Sequence, residues 1–143
     1  MIALGSDHGG FALKQEIMKH FDEQGIAYRD FGCYDESSVH YPIYAKEVAK
    51  AVLSGECEKG ILVCSTGLGI SMAANRFAGI RAAVCTDPFC AKMTRLHNDA
   101  NVLCLGGLVV GKGLAMEIVD TFLTTEFSNG ERHIQRIKMI END

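Results

Sequence analysis

Residues 60–71 read Gly-Ile-Leu-Val-Cys-Ser-Thr-Gly-Leu-Gly-Ile-Ser. The first five residues form a continuous apolar run without polar alternation, which is typical of a parallel strand buried on both faces. A glycine-rich turn then leads into a segment with helical spacing, predicted over 69–77. Strand, turn and helix together predict one βα unit of an α/β fold.

The same alternation recurs along the chain, so that five such units follow one another. The other short apolar runs predict strands over 2–6, 27–31, 80–85 and 102–105. The runs at 80–85 and 102–105 are continuous like that at 60–64, which predicts strands buried on both faces. Helical spacing predicts the further helices over 11–24, from Pro42 to Gly55, over 87–98, from the glycines at 111 and 113 to about Glu126, and over 131–140. Because no linker or repeat interrupts these units, we predict right-handed crossovers and a single-domain, Rossmann-like α/β fold across 1–143. Its centre is a doubly wound parallel sheet of five strands with flanking helices.

Length and composition set the class of protein. A chain of 143 residues fits one domain, and 48% apolar residues with only 2 prolines exclude a disordered or collagen-like chain. The net charge of −4, without a block of lysines or arginines, offers no electrostatic footprint for a nucleic-acid partner. No apolar run reaches the ~18 residues of a membrane span, and the first residues lack the features of a signal peptide. We therefore expect a cytoplasmic protein without a membrane partner.

Six cysteines stand at irregular spacing, without a Cys-x-x-Cys pair or a Cys/His ligand pattern. Without a secretion signal, such a pattern indicates free thiols and neither a disulfide framework nor a metal site. Apolar strand, helix or loop contexts indicate packing roles for Cys33, Cys57, Cys85, Cys90 and Cys104. Cys64 differs from these, since it ends a predicted strand at a glycine-rich turn.

Ligands of open α/β sheets bind outside the carboxyl ends of the strands, which directs attention to two glycine-rich loops. The loop at 5–10 holds Asp7 and His8, and Asp7 either caps the next helix or faces a substrate. The loop after Cys64 is not a dinucleotide fingerprint, because Met72 stands where the motif needs glycine. Its amides converge on a helix start, which favours an oxyanion there and the thiolate form of Cys64. The alternative is that Cys64 is a buried strand-end thiol.

Two polar clusters lie further along the chain. His97 and Asn98 close the fourth predicted helix, where the histidine either complements the helix dipole or acts as an acid in the same crevice as Cys64. Arg132 and Arg136 stand four residues apart on the last predicted helix, so both guanidinium groups can bind one phosphate, unless this helix is simply a solvated one. The ligand that these arginines favour is a phosphorylated metabolite.

Five motifs stand in order along the chain: Gly-Ser-Asp-His-Gly-Gly at 5–10, Cys-Ser-Thr-Gly-Leu-Gly-Ile-Ser at 64–71, Ala-Ala-Asn-Arg at 73–76, His-Asn-Asp-Ala-Asn at 97–101 and Gly-Glu-Arg-His-Ile-Gln-Arg at 130–136. Together they resemble the type B ribose-5-phosphate isomerases, a family with galactose-6-phosphate isomerase subunits and enzymes acting on allose 6-phosphate. The resemblance implies an aldose–ketose isomerase that interconverts ribose 5-phosphate and ribulose 5-phosphate. It also implies a reaction without metal or cofactor, in a homodimer or a dimer of dimers.

The resemblance implies roles for individual residues as well. Cys64 would be the base that moves a proton between C2 and C1 of the sugar, and His97 would donate a proton in opening the furanose ring, assisted by Thr66 and Asp7. The enediolate would be held by the amides of the turn, formed by Ser65, Thr66, Gly67, Leu68 and Gly69. The remaining ligands would be His8, Arg132 and Arg136 for the phosphate and Asn98 for the sugar hydroxyls.

Three residues depart from the family's pattern. Ser65 replaces a glycine, and Leu108 replaces an arginine that helps many ribose-5-phosphate isomerases to bind phosphate. His40 precedes Tyr-Pro in place of the more usual aspartate, which resembles the galactose-6-phosphate side of the family. The reaction class is unaffected, while allose 6-phosphate and galactose 6-phosphate stay open as alternative substrates.

Two other classes of function compete with a self-sufficient isomerase. One is a non-catalytic phosphate- or nucleotide-binding module that uses only the glycine turn and the arginines. The other is a subunit that is active only with a different partner chain. Because Arg132 and Arg136 lie far in sequence from Cys64, we predict a crevice completed across a dimer interface, with the helix at 131–140 reaching the partner.

Overall fold

The computed structural model describes residues 1–142. Its strands are β1 (Ile2–Ser6), β2 (Tyr28–Asp30), β3 (Lys59–Cys64), β4 (Ala82–Val84) and β5 (Val102–Gly106). Its helices are α1 (Phe11–Gln24), α2 (Tyr41–Leu53), α3 (Leu68–Ala74), α4 (Pro88–Asn98), α5 (Lys112–Thr124) and α6 (Glu131–Asn142). Strands and helices alternate as predicted, which makes the fold α/β.

The strands form one sheet in the order β2-β1-β3-β5-β4, and every neighbouring pair is parallel. After β3 the chain crosses to the outer position of β4 and then returns to place β5 between them. The predicted parallel sheet of five strands is thus confirmed. As a consequence, the carboxyl ends of β1, β3 and β5 lie side by side, at the edge where open α/β sheets bind ligands.

Each face of the sheet carries its own apolar core, because successive side chains of a strand point to opposite faces. On one face, Leu4, Ile61 and Leu103 pack with buried residues of α1, α4 and α5. On the other face, Leu62 and Cys104 pack with buried residues of α2 and α3. The three central strands are therefore buried on both sides, which explains the continuous apolar runs in their sequences.

Helix ends follow their local sequence signals. Gly25 closes α1 with a φ of 71°, a left-handed conformation that glycine adopts without strain. Asp87 caps α4, since its carboxylate accepts a hydrogen bond of 2.7 Å from the Cys90 amide, and Pro88 fills the first helical position. These positions agree with the ends predicted from the sequence, since Gly25 follows the helix predicted over 11–24 and Asp87 begins the one predicted over 87–98. None of the helices within residues 1–142 is long and apolar enough to cross a membrane.

The boundaries differ from the prediction mainly around β4. Helix α3 ends at Ala74 and not at residue 77, because the Asn75 side chain turns to the outer edge of β4. There it accepts a hydrogen bond of 2.8 Å from the Ala82 amide and donates one of 2.9 Å to the Ala82 carbonyl. The amide side chain thus stands in for a further strand at this edge and limits β4 to three residues.

Helix α6 is longer than predicted and is fastened at its far end. The Glu141 carboxylate accepts hydrogen bonds of 2.7 Å from the Arg81 guanidinium and 2.9 Å from the Gly79 amide. The hydrogen bond from Arg81 lowers the pKa of Glu141 below its ordinary value. Because Arg81 directly precedes β4, this contact ties the last helix to the amino end of the sheet.

Candidate active site

Three loops meet where β1, β3 and β5 end. The Gly107 amide donates to the Cys64 carbonyl at 2.8 Å, and the Asp7 amide donates to the Val63 carbonyl at 3.3 Å. The approach is close enough to require glycine, since a Cβ atom on Gly10 would lie 2.2 Å from the Val63 carbonyl oxygen. The glycine-rich composition of the loop at 5–10 therefore serves close packing at this edge.

Cys64 is the last residue of β3, with 5% of its surface exposed. The Gly67 amide donates a hydrogen bond to its sulfur at 3.1 Å. Gly67 reaches this position with a φ of 81°, which is favourable only for glycine. The turn therefore directs a backbone N–H group at the Cys64 sulfur.

The other cysteines lie in different surroundings. Burial raises the pKa of Cys85 to about 12, and it also raises the pKa of Cys104. Cys33 and Cys57 are buried as well. The packing role predicted for Cys90 is wrong, since this residue is exposed in the first turn of α4. Cys64 differs from these cysteines because it ends β3 and its sulfur accepts a hydrogen bond from the glycine-rich turn.

The turn after Cys64 uses some of its own amides internally. Besides the Gly67 amide on sulfur, the Leu68 amide donates to the Thr66 hydroxyl at 3.2 Å. Thr66 is exposed, Ser65 is half-buried, and the Ser65 carbonyl accepts a hydrogen bond of 3.0 Å from the Leu108 amide. The Gly67 and Leu68 amides, two of the five predicted to bind an oxyanion, thus already donate to acceptors within the turn. The other three predicted donors are the amides of Ser65, Thr66 and Gly69.

Asp7 and His8 lie beside this turn. The Asp7 carboxylate is buried and accepts a hydrogen bond of 3.1 Å from the amide of Gly10, the residue that precedes α1. Asp7 therefore does not cap α1 itself, whose N-cap residue is Gly10 and has no side-chain cap. His8 is exposed, and its Nδ1 atom accepts a hydrogen bond of 3.2 Å from the Val39 amide. In the neutral ring the proton therefore sits on Nε2, which leaves that atom as a donor for a ligand.

The segment between β2 and α2, with Tyr41 at the start of α2, covers one side of the loops. This contact was not predicted from the sequence. The Tyr41 ring lies so close to Gly69 that a Cβ atom there would be 2.7 Å from it. Beneath the segment, the fully buried Lys14 ammonium lies 2.7 Å from the Asp30 carboxylate and also donates to the Cys33 carbonyl. Lys14 thus fastens the start of the segment to α1.

His97 and Asn98 lie at the opposite end of the sheet, where β5 begins and not where it ends. They end α4, directly before β5 begins, and the Arg81 guanidinium binds the Asn98 carbonyl at 2.9 Å. From Val102 to Gly106, the length of β5 alone separates the two edges by about 13 Å at ~3.3 Å per residue. The expectation that His97 shares a crevice with Cys64 is therefore wrong within one chain, because parallel strands send α4 away from the edge where β3 ends.

Arg132 and Arg136 lie with His97 and not with Cys64. Both arginines are exposed on α6, and the ring of His133 on the same helix stacks on the His97 ring. A groove of about 540 Å³ opens nearby and is lined by Asn98, among others, but by no residue of the loops at 5–10 and 64–69. The residues predicted for the site thus form two separate groups in one chain.

The edge around Cys64 exposes apolar side chains. Leu108 is 81% exposed directly after β5, and Leu68, Phe89 and Val109 are exposed at the same edge. Apolar groups that cluster on a surface mark places where another molecule binds. Within residues 1–142, no group of three or more His, Cys, Asp or Glu side chains is placed to hold a metal ion.

Comparison with known proteins covers nearly the whole chain. A model of the Ribose/Galactose Isomerase family matches residues 2–140. The chain is 51% identical over 139 residues to ribose-5-phosphate isomerase B of Escherichia coli, covering 97% of this chain and 93% of that protein. It is 37% identical over 147 residues to galactose-6-phosphate isomerase subunit LacB of Clostridium acetobutylicum, covering 100% of this chain and 85% of that protein.

A solved structure of ribose-5-phosphate isomerase B from Clostridium thermocellum superposes with a TM-score of 0.97 at 53% identity. The superposition covers 99% of this chain and 95% of that one. Fold, motifs and sequence identity agree along the full length of the match. The chain therefore belongs to the Ribose/Galactose Isomerase family.

Proposed function

We propose that this protein interconverts ribose 5-phosphate and ribulose 5-phosphate, with Cys64 as the base. Family membership makes it a sugar-phosphate isomerase, and the relatives from Escherichia coli and Clostridium thermocellum are named for ribose 5-phosphate. The observation that carries the role of Cys64 is the Gly67 amide at 3.1 Å from its sulfur, at the edge where the sheet binds ligands. The cytoplasmic location stays a prediction.

The reaction moves protons without any net oxidation of the sugar. The Cys64 thiolate takes the proton from C2 of the open-chain aldose, and the electrons of the C2–H bond form a C1–C2 double bond. The C1 carbonyl oxygen becomes the enediolate oxyanion. The thiol then returns its proton to C1, the O2 hydroxyl proton passes to O1, and a ketone forms at C2.

The enediolate needs donors that are already in place when its charge develops. We assign this role to the loop at 65–69, with the Ser65, Thr66 and Gly69 amides as the donors whose N–H groups are not directed at Cys64 or Thr66. In enzymes with an oxyanion hole, removing one such donor costs about 2.7–4 kcal/mol of transition-state stabilisation. Thr66 and Asp7 would assist in the earlier step, the opening of the furanose ring.

The second group of residues would bind the other end of the sugar. His97 would donate the proton that opens the furanose ring, and Asn98 would bind sugar hydroxyls. Arg132 and Arg136 would bind the phosphate together with His8 of the first group. Since one chain keeps the two groups at opposite edges of the sheet, the site requires a second copy that brings its own α4 and α6 to the Cys64 edge.

We therefore propose a homodimer, or a dimer of dimers, with shared active sites. The exposed apolar side chains around Cys64, with Leu108 at 81% exposure, support a partner at this edge. A C2 arrangement would place α6 of each chain over the loops of the other, as predicted for residues 131–140. Each dimer would then hold two equivalent sites.

A six-carbon sugar phosphate is the second candidate substrate. Leu108 stands next to the Cys64 loop, where its amide binds the Ser65 carbonyl, and it adds no positive charge there. His40 directly precedes Tyr41, which lies against Gly69. The 37% identity to the LacB subunit adds weight to galactose 6-phosphate. Allose 6-phosphate is the other member of this class.

The test is a substrate panel on the purified chain and two cysteine variants. We expect turnover by the single chain, with kcat/KM highest for ribose 5-phosphate among ribose 5-, allose 6- and galactose 6-phosphate. Cys64→Ala should abolish turnover, while Cys90→Ala, which removes an exposed thiol, should leave it unchanged. Phosphate binding without turnover of any sugar would indicate a binding module, and activity only after addition of a different chain would indicate a dependent subunit.

A further inference from the structure

The rings of His97 and His133 stack on one another. Their centroids lie 4.4 Å apart and their planes differ by 15°. His97 belongs to α4 and His133 to α6, so the contact joins two elements that the chain connects only through β5 and α5. His97 is half-buried, whereas His133 is 8% exposed. His97 is thus the ring with the greater access to a ligand.

The backbone holds His133 in this position. The His133 amide donates to the Gly130 carbonyl at 3.0 Å, and a Cβ atom on Gly130 would lie 3.1 Å from the His133 ring. The Ser128 hydroxyl donates to the Leu96 carbonyl at 2.6 Å, in the residue before His97. The start of α6 is therefore fixed to the end of α4, and both rings keep one relative orientation.

The surroundings of His133 disfavour the charged form of its ring. Burial is the largest cause that lowers its pKa below the ordinary value of 6.5, followed by the nearby Arg132, His97 and Arg136. Arg132 and Arg136 face it from its own helix, and His97 faces it from α4. An uncharged His133 ring can stack on the His97 ring without charge repulsion between the two.

We infer that His133 is a positioning residue, whose ring orients the His97 imidazole for opening of the sugar ring. The inference rests on the proposed function and deepens it. In the opening step, the C1–O4 bond of the furanose breaks and O4 takes a proton from His97. The O1 hydroxyl passes its proton to the Asp7 carboxylate, the group expected to assist this step, and the O1–H electrons form the aldehyde C=O bond. This transfer needs the N–H group of His97 aimed at O4, and a flat partner ring prevents the imidazole from turning away.

A pair of substrates separates this role from a general loss of structure. Ribose 5-phosphate closes into a furanose and has to be opened, whereas 4-deoxyribose 5-phosphate lacks O4 and stays open. Both carry the same phosphate, so any effect on Arg132 or Arg136 acts on both alike. We expect His133→Leu, which keeps the bulk but not the flat ring, to lower kcat/KM for ribose 5-phosphate about tenfold or more. For 4-deoxyribose 5-phosphate, the change should stay below about twofold.

His133→Phe is the conservative variant, because it keeps a flat ring against His97 and removes only the titrating nitrogens. It should restore the wild-type ratio of the two kcat/KM values. The matched control is His20→Leu, which removes a histidine on α1 that pairs with Asp120 at 2.7 Å, away from α6. This control should leave the ratio unchanged.

Equal losses on the two substrates in His133→Leu, or no loss on either, would overturn the inference. So would a His133→Phe variant that behaves like His133→Leu. If His133→Leu does not fold, an altered substrate ratio in folded His133→Phe would overturn it as well. A wild-type enzyme that turns over neither substrate would instead overturn the proposed function, so the two failures are distinguishable.

Discussion

The buried lysine beneath the active-site edge gives a prediction whose size can be worked out from the structure. Lys14 is 0% exposed, and its ammonium lies 2.7 Å from the Asp30 carboxylate. In Lys14→Met, Asp30 loses its counter-charge and the Cys33 carbonyl loses a donor. Breaking a buried pair costs about 3–5 kcal/mol. Because the Asp30 side chain is 17% exposed and keeps the Gly32 amide at 2.9 Å, we expect the lower end of that range.

The assay is urea unfolding followed by circular dichroism. With a slope of about 2 kcal/mol/M for a protein of this size, a loss of about 3 kcal/mol lowers the midpoint by about 1.5 M. Lys19→Met, an exposed lysine on the same helix, is the matched control and should change stability by less than about 0.5 kcal/mol. Equal midpoints for Lys14→Met and Lys19→Met would refute the reasoning. Lys14→Met should also raise KM, since the segment between β2 and α2, which leads to Tyr41, loses an anchor at Cys33.

Two further predictions concern packing and pH. Gly10→Ala should lower the free energy of unfolding by about 1–3 kcal/mol or more, because its Cβ would lie 2.2 Å from the Val63 carbonyl oxygen; an unchanged melting temperature would contradict this. The lowered pKa of His133 means that the folded state binds fewer protons than the unfolded state below pH 6.5. The free energy of unfolding of the wild type should therefore fall relative to that of His133→Phe as the pH drops through 6.5. Unfolding of both proteins at pH 5.5 and 7.5 measures this difference. The same difference in free energy at both pH values would contradict the prediction.

The central part of the fold could be predicted because its signals are local. The continuous apolar runs at 60–64 and 102–105 form the buried strands β3 and β5, whereas the similar run at 80–85 forms the half-buried edge strand β4. Gly25 and Asp87 mark helix ends through their own backbone and side-chain chemistry. The strand order could not be predicted, since it depends on which strands meet across the sheet. The early end of α3 has the same origin, because the Asn75 side chain binds an edge strand distant in sequence.

The candidate site was predictable only in part. Glycine-rich loops at strand ends identified the neighbourhood of Cys64, whereas the placement of His97 at the opposite edge follows from the direction of α4. Lys14 was missed because lysine is rarely buried without a partner, and its partner lies on β2. Lys14 stands three residues from both Phe11 and Ile17, which lie on the apolar face of α1. This spacing was the sequence signal that its side chain faces the core.

Mixing two inactive variants tests most directly whether two copies share each active site. Cys64→Ala and His97→Asn should each be inactive as homodimers. After subunit exchange, half of the dimers are mixed, and each mixed dimer holds one site with both residues intact. We therefore predict that an equal mixture regains about a quarter of wild-type kcat per site. Activity no greater than that of the separate variants, with exchange verified by mass spectrometry, would contradict the shared site.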